Sequence, residues 1–175
     1  IKTINAGSNP TGDWVFFEVQ GSVQTANTIT QSPIAGSVFP GLAVTVSAAL
    51  SASFNTGQQA YLRYTNDNFA TSTVVAMTGG STVTATIPAS INIPSASVKY
   101  YVFTSGNGLT IAAVDADLYS INLNNNGGSN YSYTVSAGWT TTSAGAWNTA
   151  GTWTANAVPP TTTSLGAVTL VHNVT

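Results

Sequence analysis

The property that most restricts this chain is a period of two. From Leu42 to Phe54 (LAVTVSAALSASF), Leu42, Val44, Val46, Ala48 and Leu50 fall on one side of an extended backbone. That is the pattern of a half-buried strand, whose side chains point to opposite faces residue by residue. The same pattern recurs in Trp14–Val19, Ala60–Thr65, Thr73–Met77, Ser81–Ile87, Ser97–Thr104, Leu118–Leu123 and Asn130–Val135, with a shorter stretch at Thr28–Gln31. No window of helical length shows a 3.6-residue repeat. Turn chemistry separates the strands: Pro33, Gly36, Pro40 and Gly41, then Asn55-Thr56-Gly57, Asn66-Asp67-Asn68, Gly79-Gly80, Ser105–Gly108 and the Asn/Gly loop Asn124–Ser129. Gly79-Gly80 reads as the turn of a hairpin between Thr73–Met77 and Ser81–Ile87.

Short alternating strands with turns about every 8–12 residues are the signature of a β-sandwich. The expected class is therefore all-β, an immunoglobulin-like or fibronectin-like sandwich with an additional β-rich C-terminal segment. Three parts are expected: an N-terminal arm or strand over residues 1–26, the sandwich over 27–135, and a Trp-rich β segment over 136–175. The last holds Trp139, Trp147 and Trp153, three of the four tryptophans, spaced by small polar residues. It reads as a pairing strand or as the start of a further domain. Ile1 in place of an initiator Met, and a final strand without a closing turn, are the marks expected of a mature or excised segment of a longer chain.

Charge bounds function more tightly than any motif. Only eight of the 175 residues are charged, five acids and three bases, alongside one His and no Cys. At 5% the charged fraction is far below the norm, which is about 25% for soluble proteins. Solution catalysis generally needs ionisable groups that converge and shift one another's pKa. With a net charge of −2 and no basic patch, the chain has almost nothing to offer a phosphate backbone, so nucleic acid is excluded as a partner. No apolar run is long enough for a membrane-spanning helix. Without Cys there is neither disulfide nor thiolate chemistry, nor a Cys-type zinc site. Neutral Ser/Thr/Asn faces with few charges suit an extracellular or cell-surface setting.

Two stretches carry a resemblance. AYLRYTNDNFATSTVVAM, TVTATIP and SVKYYVFTSGNGLTIAAVDADLYSINLNNNGGSNYSYTV together resemble the immunoglobulin-like modules of large secreted bacterial surface proteins and polysaccharide-degrading enzymes. The tail, GWTTTSAGAWNTAGTWTANAVPP followed by VTLVHNVT, is similar to the Trp-rich openings of parallel β-helix regions in such proteins, which are often exported by type IX secretion. Both together cover residues 27–175. The resemblance implies a spacer, adhesive unit or accessory carbohydrate binder.

Few residues are candidates for chemistry. Asp115 and Asp117 would share one face of a strand at a spacing that suits paired carboxylates, but no third polar partner accompanies them, and Asp-x-Asp before a strand is ordinary Asx-turn chemistry. With Asn124–Asn126 they are also weak candidates for calcium, a hard cation that takes oxygen ligands. No other cofactor is implied. His172 stands alone in an alternating stretch, with no partner set for metal binding or nucleophilic catalysis. If Leu62 and Val98 face the core, then Tyr61, Arg63, Lys99, Tyr101 and Phe103 lie outside. Such an aromatic strip with two cations suits a sugar ring or a neighbouring subunit, unless the N-terminal segment or the Trp-rich tail covers it. Trp139, Trp147 and Trp153 form either a second stacking platform or the packing of a domain junction.

The expected function is a non-catalytic extracellular structural or adhesive module, a subunit of a surface or filament assembly. Few Lys gatekeepers guard its sheet edges. Ile1–Ile4 or Val168–Thr175 can therefore add as a strand to a second copy or to a neighbouring domain, and head-to-tail addition yields a filament. The alternative is an accessory carbohydrate-binding module of a secreted polysaccharide-degrading enzyme.

Overall fold

The computed structural model describes residues 2–3, 16–17, 27–54, 56–106, 108, 110–161 and 164–175. Lys2–Thr3 (β1) and Phe16–Phe17 (β2) pair antiparallel. Of the expected strand Trp14–Val19, only Phe16–Phe17 falls among the described residues, and Ile1 and Ile4 of the arm fall outside them.

Ile29–Gln31 (β3) and Val44–Leu50 (β4) open the sandwich. In β4 the alternation is realised in full, with Val44, Val46, Ala48 and Leu50 buried and the residues between them exposed. Gln59–Thr65 (β5) follows, then Thr73–Ala76 (β6), Thr78–Gly79 (β7), Thr82–Ile87 (β8) and Ser97–Ser105 (β9). Ala116–Tyr119 is one turn of α-helix (α1), and Asn122–Asn124 (β10) and Tyr131–Thr134 (β11) complete the domain. One sheet runs β3-β4-β8-β7; in the other, β9 lies between β5, which carries β6 on its far side, and an edge shared by β10 and β11. Every one of these pairings is antiparallel. Two such sheets face to face make the immunoglobulin-like sandwich that the spacing of turns predicts. The core joins Val46, Val83 and Ile87 of one sheet to Leu62, Val98, Tyr100 and Val102 of the other.

The hairpin expected around Gly79-Gly80 is split between the sheets. Thr73–Ala76 pairs with β5, whereas only Thr78–Gly79 pairs with β8. The crossing is at Met77, which is buried and donates its N–H to the Ala60 carbonyl at 2.8 Å. Gly79 must be glycine: φ is +132°, and a Cβ would lie 2.0 Å from the Thr82 carbonyl oxygen. The strand expected over Leu118–Leu123 shrinks to β10, because Leu118 and Tyr119 belong to α1. β10 and β11 do not pair with each other. Both lie antiparallel to β9 in one line, interrupted by the Asn125–Asn130 loop.

The 136–175 segment makes a turn of its own. Gly138–Thr140 (β12) pairs parallel with Ala167–Thr169 (β13). Gly138, Trp139 and Thr140 face Ala167, Val168 and Thr169, and further on Gly145 faces Val174, 29 residues apart in every pair. A constant offset between parallel strands is the geometry of one coil of a β-solenoid. Trp139 and Trp153, both fully buried, fill it edge to face at 6.3 Å, and Trp147 meets Trp153 at 4.7 Å. Trp139 also reaches the sandwich: its ring lies 5.2 Å from that of Phe39, and its Nε1–H donates to the Pro40 carbonyl at 3.2 Å.

Candidate functional site

The strip expected on the outer face of the second sheet is not open. Tyr61, Tyr101 and Phe103 are buried at 2%, 6% and 0% exposure, in a second cluster closed by Ile111 and Ala116 with Phe69 and Val74. The cover seen among the described residues is the segment that follows β9, through Ile111 and Ala116, and not the tryptophan tail. Its apolar residues have no strand period, so nothing in the sequence marks it as a lid. Desolvation raises the phenol pKa of both Tyr61 and Tyr101 above the ordinary value of 10. Trp139 and Trp153 are likewise sealed, leaving Trp147 as the half-buried member of the trio. Of these aromatic rings only Trp147 is partly open to solvent, and stacking on a sugar requires an exposed ring face.

Arg63 and Lys99 part company. The Lys99 ammonium donates to Asn68 Oδ1 at 2.6 Å. The Arg63 guanidinium instead lies over the ring of Phe69 at 5.3 Å and that of Tyr101 at 5.9 Å, a cation–π arrangement. Its Nε donates to Ser72 Oγ at 3.0 Å, and its Nη1 to Tyr101 Oη at 2.9 Å and Asp117 Oδ1 at 3.4 Å. Tyr101 in turn donates to the same carboxylate oxygen at 3.3 Å. Asp117 is 80% exposed, so this ion pair orients groups more than it stabilises the fold. The two acids are not on a strand as expected: Asp115 ends a 3-10 turn and Asp117 lies in α1. The Asn124 carboxamide oxygen, a calcium candidate, accepts instead from Tyr131 Oη at 3.2 Å and Asn126 N–H at 3.3 Å. Among the described residues no three His, Asp or Glu side chains gather around a metal-sized centre. His172 Nδ1 lies 3.5 Å from Thr141 Oγ1.

Beside Arg63 an open depression of about 290 Å³ is lined by Phe69, Tyr101, Asp117, Asn125 and Asn130, with Leu123 at its wall. A second of the same size lies across Phe69, toward Thr71 and Val114. Two of the lining residues hold left-handed backbone, Phe69 at φ +65° and Asn130 at φ +60°. For Asn this is common; for a bulky aromatic it is an outlier that costs on the order of 1–3 kcal/mol. The Asp67 turn supports it, since Thr65 Oγ1 accepts the N–H groups of both Asp67, at 3.1 Å, and Phe69, at 3.3 Å. Phe69, Leu123 and Asn130 are not legible in sequence as site residues, and Asn125 is legible only as part of the Asn124–Asn126 calcium candidate. Phe69 directly after an Asn-Asp-Asn turn is the one signal, an apolar side chain where a turn normally places a polar one.

The strands expected to pair with a neighbour have partners within the chain: Lys2–Thr3 with Phe16–Phe17, and Ala167–Thr169 with Gly138–Thr140. β13 has no partner on its other side among the described residues. Val168 in it, and Leu170 and Val171 just past its end, are 37%, 55% and 60% exposed. From Ser164 to Thr175 there is no Asp, Glu, Lys, Arg or Pro. Compared with known proteins, the chain matches no protein-family model, no curated protein and no solved structure.

Proposed function

We propose that this chain is a non-catalytic structural module of an extracellular surface or filament assembly, joined to its neighbour by strand pairing along the free edge of β13. The observation that carries the reading is the composition of this edge: Val168 and, just past the strand, Leu170 and Val171 are exposed, with no charge or proline from Ser164 to Thr175. Charged side chains and prolines on an edge are among the devices by which sheets resist unwanted pairing. β13 follows β12 in parallel, and past a bend at Val171-His172 Val174 bridges Gly145 in the same sense. A strand from a second copy or from an adjoining module fits there by β-augmentation. The scarcity of ionisable groups supports the non-catalytic part, and the neutral Ser/Thr/Asn surface supports the extracellular one.

A charge placed on the edge tests it. The wild-type protein is expected to elute as a concentration-dependent ladder in size-exclusion chromatography and to show ordered assemblies by negative-stain electron microscopy. Leu170→Lys, on an exposed side chain directly after β13, is expected to abolish both while leaving the far-UV circular dichroism unchanged. A wild type that stays monomeric, or a variant that assembles equally well, overturns the proposal.

A further inference from the structure

The depression beside Arg63 is far from neutral in its construction, although it is neutral in its charge. Arg63, only 15% exposed, and Asp117 contribute one positive and one negative group, already matched to each other through Nη1 and Oδ1. An anionic ligand would meet the carboxylate, and a cationic one the guanidinium. A neutral ligand rich in hydroxyls meets both to advantage, because a hydroxyl donates to a carboxylate and accepts from a guanidinium at once. The amides lie on the same wall. Asn125 Oδ1 is used internally, accepting from Gly128 N–H at 3.0 Å, and its backbone oxygen accepts from Asn130 N–H at 2.7 Å. The Asn130 carboxamide makes no hydrogen bond among the described residues and lines the cavity. Leu123, 39% exposed, and the Phe69 ring supply apolar surface for the C–H face of a sugar ring.

The volume and the shape agree. Each depression measures about 290 Å³, just under the roughly 300–1,000 Å³ typical of small-molecule sites, and the two adjoin across Phe69. Phe69 stands between the two, held in its left-handed conformation by the Thr65 hydroxyl and clamped under Arg63. Backbone strain that the surroundings over-determine concentrates at ligand clamps. We infer that Arg63, Phe69, Asp117, Asn125 and Asn130 form a binding site for an uncharged glycan, with one sugar ring beside Asn130 and the chain continuing past Phe69 toward Thr71. This site is distinct from the β13 edge and does not depend on it. It shares Arg63 and Tyr101 with the strip expected in sequence, whose Tyr61 and Phe103 rings are buried away from it.

The test is two-dimensional ¹H–¹⁵N NMR titration of the intact chain with cellohexaose, xylohexaose, a high-mannose N-glycan and hexagalacturonate. Shifts are expected at Arg63 Nε, at the Asn130 side-chain amide and at the backbone of Phe69 and Asn125, with at least one of the three neutral probes. Response to the plant-type hexamers places the ligand in a structural polysaccharide, and response to the N-glycan places it on a protein. Asp117→Ala and Asn130→Gly are expected to weaken that binding about tenfold or more each, with melting temperatures near wild type. The glycine keeps the left-handed backbone available, so its effect isolates the amide. Failure of every neutral probe, preference for hexagalacturonate, or undiminished binding by both variants overturns the inference. So does a shift pattern centred on Trp147.

Discussion

The Asp67 carboxylate accepts hydrogen bonds from Thr65 Oγ1 at 2.6 Å, Thr71 Oγ1 at 2.5 Å and the Thr71 N–H at 2.9 Å. All of these favour the charged form, so its pKa falls from 3.8 to about 2, the Thr65 hydroxyl being the largest cause. A carboxyl depressed in the folded state adds stability that is fully present above its unfolded pKa. That stability is lost as pH falls through the folded value. The wild-type melting temperature is therefore expected to drop as pH is lowered from about 4 to about 2. Asp67→Asn is expected to melt lower at neutral pH and to show a flatter profile in that window. Calorimetry at a series of pH values checks it; parallel profiles would show that the carboxylate does not hold the turn. The turn itself is legible in Asn66-Asp67-Asn68. Its consequence, an aromatic residue forced to φ +65° under Arg63, depends on contacts with β9 and α1 that no local pattern encodes.

At the scale of elements, strands were legible where one face is dry and the other wet, as in β4, and illegible where that contrast fails. β9 is buried on both faces because Ile111 and Ala116 form a partial third layer, so its alternation identifies a strand but misplaces Tyr101 and Phe103. The switch at Met77 was hidden for another reason. An apolar residue between two edge strands reads the same whether the chain turns back or changes sheets. The parallel pairing of β12 with β13 leaves no trace in sequence either, since a single coil has no second copy to be compared with. Its physical signature is Gly138, where a Cβ would lie 1.7 Å from the Ala167 carbonyl oxygen. Gly138→Ala must push β13 away from β12, at a cost of about 1–3 kcal/mol for an overpacked site. Urea unfolding is expected to register that loss. Hydrogen exchange is expected to accelerate over 167–175 while the amides of β4, β5 and β9 keep their protection. Uniform acceleration across the sandwich would mean that the coil has no separate role in holding β13.

For the molecule as a whole, the coil is fastened to the sandwich at several points. Ser136 N–H donates to the Val38 carbonyl at 2.8 Å and Ser95 N–H to the Ser136 carbonyl at 3.2 Å. Gly166 packs so closely that a Cβ would lie 2.9 Å from the Pro94 ring. Trp139 spans the junction through Phe39 and Pro40. Detaching the coil would bare Trp139, and an aromatic of this size buries roughly 150–250 Å². A rigid junction also bears on the proposed assembly, because an edge strand on a loosely tethered coil would present its neighbour with no fixed direction. The expected behaviour is a single cooperative unfolding transition. Trp139, Trp147 and Trp153 report on the coil by fluorescence, and circular dichroism of the strands reports mainly on the sandwich. In a Trp14→Phe background, which removes the one tryptophan outside the coil, the two probes are expected to give the same midpoint in urea, the mark of a two-state transition. Midpoints that separate, with fluorescence changing first, would show that the coil comes away on its own and that the β13 edge has no fixed place in a filament.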